Sequence, residues 1–472
     1  MPKPAVALVS LGCPKNLVDA EVMMGLLERA GYPLVEEPEQ AEVLLVNTCA
    51  FIEPAIEEAL DALLELADLK RTGRLQALIC AGCLTQRGGE ELLAQLPEVD
   101  LFLAPGAVPR VVEAVEAALA GRRQVMLDPL NYLYCAETPR WRSAPGWTTY
   151  VKIADGCDNR CSYCTVPSLR GAYRSRTVQD VVAEVKGLVG WKGRMGGCAA
   201  GAAGPHPAPG RGEVREIILI AQDTTDYGRD LAPPASLADL LRALGALDFG
   251  GWLRLMYLHP ARINETLLAA WAECRALVPY VDVPLQHAAP EVLRRMGRAG
   301  SPEAYLELLA RIRGYLPEAA IRTTFIVGFP GETEGDFQTL CDFAQVARFD
   351  RLSVFRYWPE EGTPAAALPD PVPFEVGDER LEQLMQVQEG ISLALNQQFI
   401  GRRLRVLVEQ VTAESAVGRS YRDAPEVDGQ VRIHPAEGLR VGEFVDVTIT
   451  EAEVHDLVGE KKGSGATFRR EK

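Results

Sequence analysis

The sequence predicts an α/β chain in three parts: an open parallel-sheet domain over residues 4–125, a partial (β/α)6 barrel over 143–378 and a small C-terminal all-β barrel over 383–455. Three observations carry this. Apolar runs alternate with amphipathic stretches through the first part. Six further apolar runs recur between residues 149 and 357. Beyond residue 401, helical periodicity gives way to short β-type runs separated by turn residues. At 472 residues the chain is also too long for one ordinary core.

In the first part, "AVALVSLG" (5–12), "EVLLVN" (42–47) and "LQALICAG" (75–82) each precede a helix-like stretch. This is the rhythm of βαβ units and of a parallel sheet. Each run ends within a few residues of a cysteine: Cys13, Cys49 and Cys83. Loops at the carboxyl ends of parallel strands gather on one edge, where open α/β folds bind ligands. The three cysteines are therefore expected to meet. Cys80 lies inside an apolar run and reads as core. The irregular, proline-bearing residues 128–147 read as a linker.

The barrel runs are "TYVKI", "REIILIA", "WLRLMY", "YVDVP", "IRTTFIV" and "LSVFRY". Six units in roughly 230 residues imply an incomplete barrel, since eight need ~250. Functional loops are expected after the strands. Residues 191–212, rich in Gly, Ala and Pro and holding Cys198, break the rhythm and read as a disordered surface insertion. Four prolines in 364–378 mark the barrel's exit. A helical stretch (379–401) then leads to "RRLRVLVEQV", "AVGRSYRDA", "GQVRIHP" and "EFVDVTITEAEV", the runs of a small barrel.

With 47% apolar and 24% charged residues, the composition is that of a globular protein. No apolar run approaches the ~18 residues of a spanning helix. The apolar stretch before Cys13 is too short for a lipoprotein signal, so a cytoplasmic location without membrane attachment is expected. Eleven cysteines without an export signal argue against a disulfide framework, and for metal ligands, catalytic thiols or apolar fillers. The net charge of −16 disfavours nonspecific nucleic-acid binding and suits a basic partner.

The stretch "GCDNRCSYC" places Cys157, Cys161 and Cys164 in a loop after the first barrel strand. Three thiols cannot close a disulfide set, and a structural zinc usually takes four ligands. No other His or Cys lies close in sequence. Asp158, Asn159 and Arg160 interleave the thiols, which argues against buried fillers. The spacing resembles that of radical SAM enzymes. The resemblance implies that the three thiolates hold a [4Fe–4S] cluster whose open iron seats S-adenosylmethionine, the source of a 5′-deoxyadenosyl radical.

"SLGCPKNLVDAE", "VNTCAF" and "AGCLTQR" resemble the N-terminal domain of methylthiotransferases. With the radical SAM barrel and a TRAM domain at the C-terminus, the resemblance covers nearly the whole chain. It implies that Cys13, Cys49 and Cys83 ligate a second [4Fe–4S] cluster, whose open iron carries the sulfur to be transferred. The insertion at 191–212 departs from the family pattern but spares all six cysteines. Cys135, Cys198, Cys274 and Cys341 have no ligand-like neighbours.

Some members of the family methylthiolate an adenosine in transfer RNA; others modify the β-carbon of an aspartate on a basic small-subunit ribosomal protein. "SLGCPKN" and "YRDAPEVDG" favour the second group. Residues 401–460 carry 7 Lys+Arg against 12 Asp+Glu and offer only Tyr421 and Phe444 for stacking. A small barrel that binds RNA should be basic and aromatic-faced. Nucleic acid is therefore not the expected primary target. Asp423, Glu426 and Asp428 are expected to dock the basic protein, the alternative being a solvated turn. Asp223, His259, His287 and Glu332 lie in strand-following loops without an assigned role. An electron-donor protein is implied, and the sulfur source stays open. The competing readings are a transfer-RNA enzyme and a non-catalytic iron–sulfur or zinc protein.

Overall fold

The computed structural model describes residues 2–143, 146–190, 213–247 and 249–461. The insertion at 191–212, with Cys198, lies outside them. The chain divides into two compact units: residues 1–249 with 358–367, and residues 250–357 with 368–472.

The first unit opens with a five-stranded sheet in sequential order: β1 (Val6–Ser10), β2 (Val43–Thr48), β3 (Ala77–Gly82), β4 (Leu101–Leu103) and β5 (Gln124–Met126). All neighbours are parallel. The helices are α1 (Pro14–Arg29), α2 (Glu53–Ala67), α3 (Leu69–Thr72), α4 (Cys83–Gln95) and α5 (Val111–Leu119). β2 and β3 are buried along their whole length, which is why they read as continuous apolar runs. Ser10 pairs with Asn47, and Asn47 with Ala81. This flush register ends the three strands in one row. The three expected cysteines lie two or three residues beyond it.

The same unit holds β6 (Thr148–Lys152), the short pair β7 (Ala154–Asp155) and β8 (Arg174–Ser175), and β9 (Glu216–Ile220), which runs parallel to β6. Its helices are α6 (Val166–Arg170), α7 (Val178–Leu188), capped by the Thr177 side chain, and α8 (Leu237–Gly245), opened by a Ser236–Asp239 capping box. The stretch read as a linker is irregular but fixed. Arg140 is buried in it, bonding Glu21 at 2.6 Å, Glu184 at 2.8 Å and the Tyr150 carbonyl at 2.7 Å. Pairing a buried guanidinium this fully anchors the segment to α1, α7 and β6.

The second unit contains β10 (Trp252–Leu255), β11 (Tyr280–Asp282), β12 (Ala320–Val327) and β13 (Arg351–Arg356), with β12 parallel to both β11 and β13. Helices α9 (Glu265–Glu273), α10 (Pro290–Arg295), α11 (Pro302–Tyr315) and α12 (Glu334–Ala347) alternate with them, and α13 (Phe374–Gln397) follows. All six expected barrel runs are strands. A closed barrel comes last: β14 (Arg403–Val411), β15 (Ala416–Ser420), β16 (Val431–His434), β17 (Phe444–Ala452) and β18 (Leu457–Lys461), in the order β14-β15-β16-β18-β17. Val406, Val408, Val431, Ile433, Val447 and Ile449 fill it. Among the described residues, no helix is long and apolar enough to cross a membrane.

Candidate functional site

The row of strand ends leads directly into the first cysteine set. Cys13 is the N-cap of α1, Cys83 is the first residue of α4, and Cys49 lies four residues before α2. The N-termini of α1 and α4 place partial positive charge beside Cys13 and Cys83. Two glycines make the approach possible. Gly12 has φ +89°, and a Cβ there would stand 2.6 Å from the Cys49 Cβ. Gly82 has φ +95°, and a Cβ there would stand 2.4 Å from the Asn47 Oδ1. Only glycine accommodates both the conformation and the contact.

Asn16, three residues after Cys13, knits the loops together. It is fully buried. Its side-chain amide donates to the Thr48 carbonyl at 2.9 Å, its own carbonyl accepts from the Asn47 amide at 2.6 Å, and its Oδ1 lies 3.8 Å from the Cys83 Sγ. Burial, followed by the neighbouring Cys13 and Cys83, pushes the Cys49 thiol up to about 12. Burial also raises Cys83; Arg170 opposes this and Cys13 adds to it. The three thiols lie near enough for Cys13 to act on both Cys49 and Cys83. Cys80, on β3, points into the core instead, with the Thr85 hydroxyl 3.7 Å away.

The second set follows β7. Gly156 (φ +81°) starts the loop, where a Cβ would lie 2.1 Å from the Ala172 carbonyl oxygen. The Cys157 amide donates to the Gly171 carbonyl at 3.1 Å and the Cys164 amide to the Cys161 carbonyl at 3.2 Å. Asp158 accepts from the Tyr173 amide at 3.1 Å, and Asn159 donates to Asp223 at 2.7 Å. Backbone bonds and the Asp158, Asn159 and Asp223 side chains together hold the loop. Burial, then the Asp223 charge and Cys161, push the Cys157 thiol up to about 11.

The two sets lie in one compact unit and are tied together. Thr165, next to Cys164, donates to the Phe51 carbonyl at 3.2 Å, two residues from Cys49. α6 begins there and ends at Arg170, whose buried guanidinium bonds both Asp19 and Asn16. Lys152 bridges Asp19 at 2.6 Å and Asp155 at 2.8 Å. Burial alone would raise the Asp155 carboxyl; Lys152 and Arg170 outweigh it and hold the group well below the usual carboxylate range. Residues 358–367 bond to chain segments near both sets. The Ala365 amide donates to the Ser162 carbonyl at 2.9 Å, and Glu360 accepts from the Glu53 amide at 2.9 Å.

Thiol chemistry and spacing test which group fits. A tetrahedral zinc with Zn–S of 2.3 Å holds its thiolates about 3.8 Å apart. Among the described residues, the one set of three ligand-type side chains all within 4.8 Å of one another is Cys135, Glu137 and Asp180. Neither cysteine trio is drawn that close.

The remaining candidates have local structural partners. Asp223 accepts from the Thr225 amide at 3.0 Å as well as from Asn159, so it positions the cysteine loop. His259 accepts from the Ala261 amide, His287 from the Ala289 amide and Glu332 from the Phe329 amide. The docking expectation needs correction. Asp423 is buried and ion-paired with Arg351, and also accepts from the Ser420 hydroxyl at 2.8 Å. The Asp428 side chain is 2% exposed and accepts from Tyr280 at 2.5 Å and from the Ala424 amide at 2.9 Å. These carboxylates hold the second unit together and are not free to meet a partner. Glu426 alone of the three is exposed. Sequence reasoning missed Asn16, Asp19, Lys152, Arg170 and Glu360. The one available signal was the position of Asn16 in "GCPKN" and of Arg170 six residues after Cys164.

The chain resembles known proteins along nearly its whole length. Residues 5–104 match the family described as "Uncharacterized protein family UPF0004", residues 151–344 the "Radical SAM superfamily" and residues 400–461 the "TRAM domain". The ribosomal protein uS12 methylthiotransferase RimO of Desulforamulus reducens is 46% identical over 461 residues, covering 97% of this chain and 99% of its own. RimO of Heliobacterium modesticaldum is 47% identical, covering 96% and 94%, and that of Geobacter sulfurreducens 44%, covering 97% and 98%. Among solved structures, the radical S-adenosylmethionine methyltransferase TsrM of Kitasatospora setae superimposes with a TM-score of 0.54 at 15% identity, over 86% of this chain and 79% of that one, which shows the shared fold. Membership of the radical SAM superfamily brings with it S-adenosylmethionine and a [4Fe–4S] cluster. With strand ends that gather one cysteine trio, a CxxxCxxC loop after a barrel strand, and relatives this similar from end to end, the chain belongs to the radical SAM methylthiotransferase family that includes RimO.

Proposed function

We propose that this enzyme methylthiolates the β-carbon of an aspartate on ribosomal protein uS12, using two [4Fe–4S] clusters, one held by Cys157, Cys161 and Cys164 and the other by Cys13, Cys49 and Cys83. The observation that carries this reading is the second trio: three strand-end thiols brought together in the same compact unit as the CxxxCxxC loop, and joined to it by α6. An electron must be supplied from outside, which implies a donor protein. A ribosomal substrate implies a cytoplasmic site of action.

When bound, S-adenosylmethionine supplies both the methyl group and the radical that abstracts hydrogen. The chain's own residues do the rest. Gly12, Gly82 and Asn16 set the strand-end loops so that three thiols converge. The 157–164 loop is pinned by Asp223 and Tyr173, so its thiols keep their spacing without paying for reorganisation on loading. Glu360 and Ala365 bind the 358–367 segment to the start of α2 and to Ser162 of the second cysteine loop.

The test is anaerobic reconstitution followed by turnover on uS12. About eight irons and eight sulfides per chain, deoxyadenosine release and a methylthio mass increase on one uS12 aspartate are expected. Modification of transfer RNA but not of uS12 would replace the substrate assignment, and about four irons would remove the second cluster.

A further inference from the structure

Arg170 belongs to the helix that starts beside Cys164, yet its guanidinium serves the other cysteine set. It is buried, and it bonds Asp19 and Asn16, 151 and 154 positions away. Asn16 Oδ1, its acceptor, is the same atom that lies 3.8 Å from the Cys83 Sγ. Its bond to that oxygen brings the guanidinium beside the Cys83 thiol, where its charge opposes the rise that burial causes. Four buried charges form the local set: Lys152 and Arg170 against Asp19 and Asp155. Lys152 faces the two carboxylates, and Arg170 is the member turned toward the thiols. Asp19 already has Lys152 at 2.6 Å, so its ion pairing does not by itself require a guanidinium placed at the cysteines.

We propose that Arg170 is a charge-bearing positioning residue for the centre formed by Cys13, Cys49 and Cys83, a fixed cation that favours the centre's electron-rich state. The inference rests on the two-cluster reading above. Reduction adds negative charge to a thiolate-held cluster. A buried cation and an N–H donor beside the sulfurs stabilise that charge and raise the reduction potential. Low local dielectric strengthens the effect, and the two bonds to Asp19 and Asn16 keep the guanidinium from turning away. Because α6 (Val166–Arg170) begins two residues after Cys164, the same short helix that leaves one centre sets the charge at the other.

The experiment is a potentiometric titration, followed by electron paramagnetic resonance, of the reconstituted full chain. It is done in the background Cys157→Ala, Cys161→Ala, Cys164→Ala, which leaves only the N-terminal centre. Arg170→Gln should take up the same iron and sulfide as its parent while its midpoint moves negative, enough to change the reduced-to-oxidised ratio at a fixed poise at least tenfold, or 59 mV for one electron. Arg170→Lys should recover most of the shift. An unmoved midpoint in Arg170→Gln overturns the proposal, since a residue that only braces the fold would change stability and loading but not potential. Should Arg170→Gln fail to load, Arg170→Met serves instead: it keeps an apolar stem and removes the charge, so its midpoint should also move negative, and no movement overturns the proposal. Uptake of about four irons by the unsubstituted chain overturns this inference together with the two-cluster reading. Eight irons with an unmoved midpoint overturns this inference alone.

Discussion

Arg87 and Glu360, 273 positions apart in the chain, form an ion pair at 2.7 Å. The Glu360 carboxylate is buried, and its second oxygen accepts from the Glu53 amide at the start of α2. One side chain thus closes the N-terminus of the helix that follows Cys49 and holds the 358–367 segment in place. Glu360→Ala removes both bonds and leaves Arg87 without its carboxylate. A loss of about 1–3 kcal/mol is expected, read as a lower first transition in thermal unfolding. Glu360→Gln, which keeps an acceptor for Glu53, should lose less. Equal stability of all three proteins would mean that the segment is held by packing alone.

The two cysteine sets should be separable. Changing Cys157, Cys161 and Cys164 to Ala should abolish deoxyadenosine release while about four irons remain. Changing Cys13, Cys49 and Cys83 to Ala should leave release intact and stop methylthio transfer. Mass spectrometry of uS12 reads the second outcome directly, and transfer by that variant would contradict the assignment.

Without metal, Cys49 and Cys157 should behave as neutral thiols at physiological pH. Burial and, for Cys49, the neighbouring thiols raise them to about 12 and about 11. Only the thiolate alkylates, so their iodoacetamide rates in the metal-free protein should climb about tenfold per pH unit from 7 to 10. A free cysteine levels off near its ordinary pKa of about 8.5. Loading iron must displace these protons, so reconstitution in weak buffer should acidify the solution. A plateau in the Cys49 rate below pH 9 would argue against its buried setting.

Gly82→Ala should damage the N-terminal centre selectively. The new methyl would meet the Asn47 Oδ1 and the Thr48 carbonyl at 2.4 and 2.6 Å, in a backbone conformation that L-residues avoid. Strain plus overpacking should cost roughly 2–4 kcal/mol. Iron content should fall toward that of one cluster while the CxxxCxxC loop still supports S-adenosylmethionine cleavage. Full loading of both centres would show that the strand end can shift without harm.

In the small barrel, Asp423→Lys should destabilise the protein by about 3–5 kcal/mol, because it places a second cation against buried Arg351. Glu426→Lys, at an exposed position, should change stability by no more than about 0.5 kcal/mol. If the acidic surface of this barrel steers a basic substrate, Glu426→Lys should raise the KM for uS12, most at low salt. No change in KM would place docking elsewhere.

Period and spacing carried most of the architecture. Fully buried strands such as β2 and β3 leave unbroken apolar runs, and a CxxxCxxC loop is a local pattern. What stayed hidden depends on long-range pairing. β5 spans three residues and is only half buried, and β18 ends in charged "EK", so neither leaves a periodic signature. Asp423 and Asp428 read as solvent-facing because Asp, Pro and Gly crowd that stretch. Their partners Arg351 and Tyr280 stand 72 and 148 positions away and are invisible locally. The same holds for Arg140 and Arg170: a buried arginine looks like a surface one until its acids are found. The first cysteine trio was legible as three strand ends, but not the Asn16 bridge that joins them.

The segment at 358–367 belongs to the first unit although the chain reaches it only after building about half of the second. During synthesis, residues 1–249 leave the ribosome more than a hundred residues ahead of Glu360. At 5–20 residues per second, that delay lasts roughly 5–25 s. Throughout it the Glu53 amide and Arg87 lack their carboxylate, and the Ser162 carbonyl lacks the Ala365 amide. Completion of the first unit is thereby tied to the order in which the polypeptide is made.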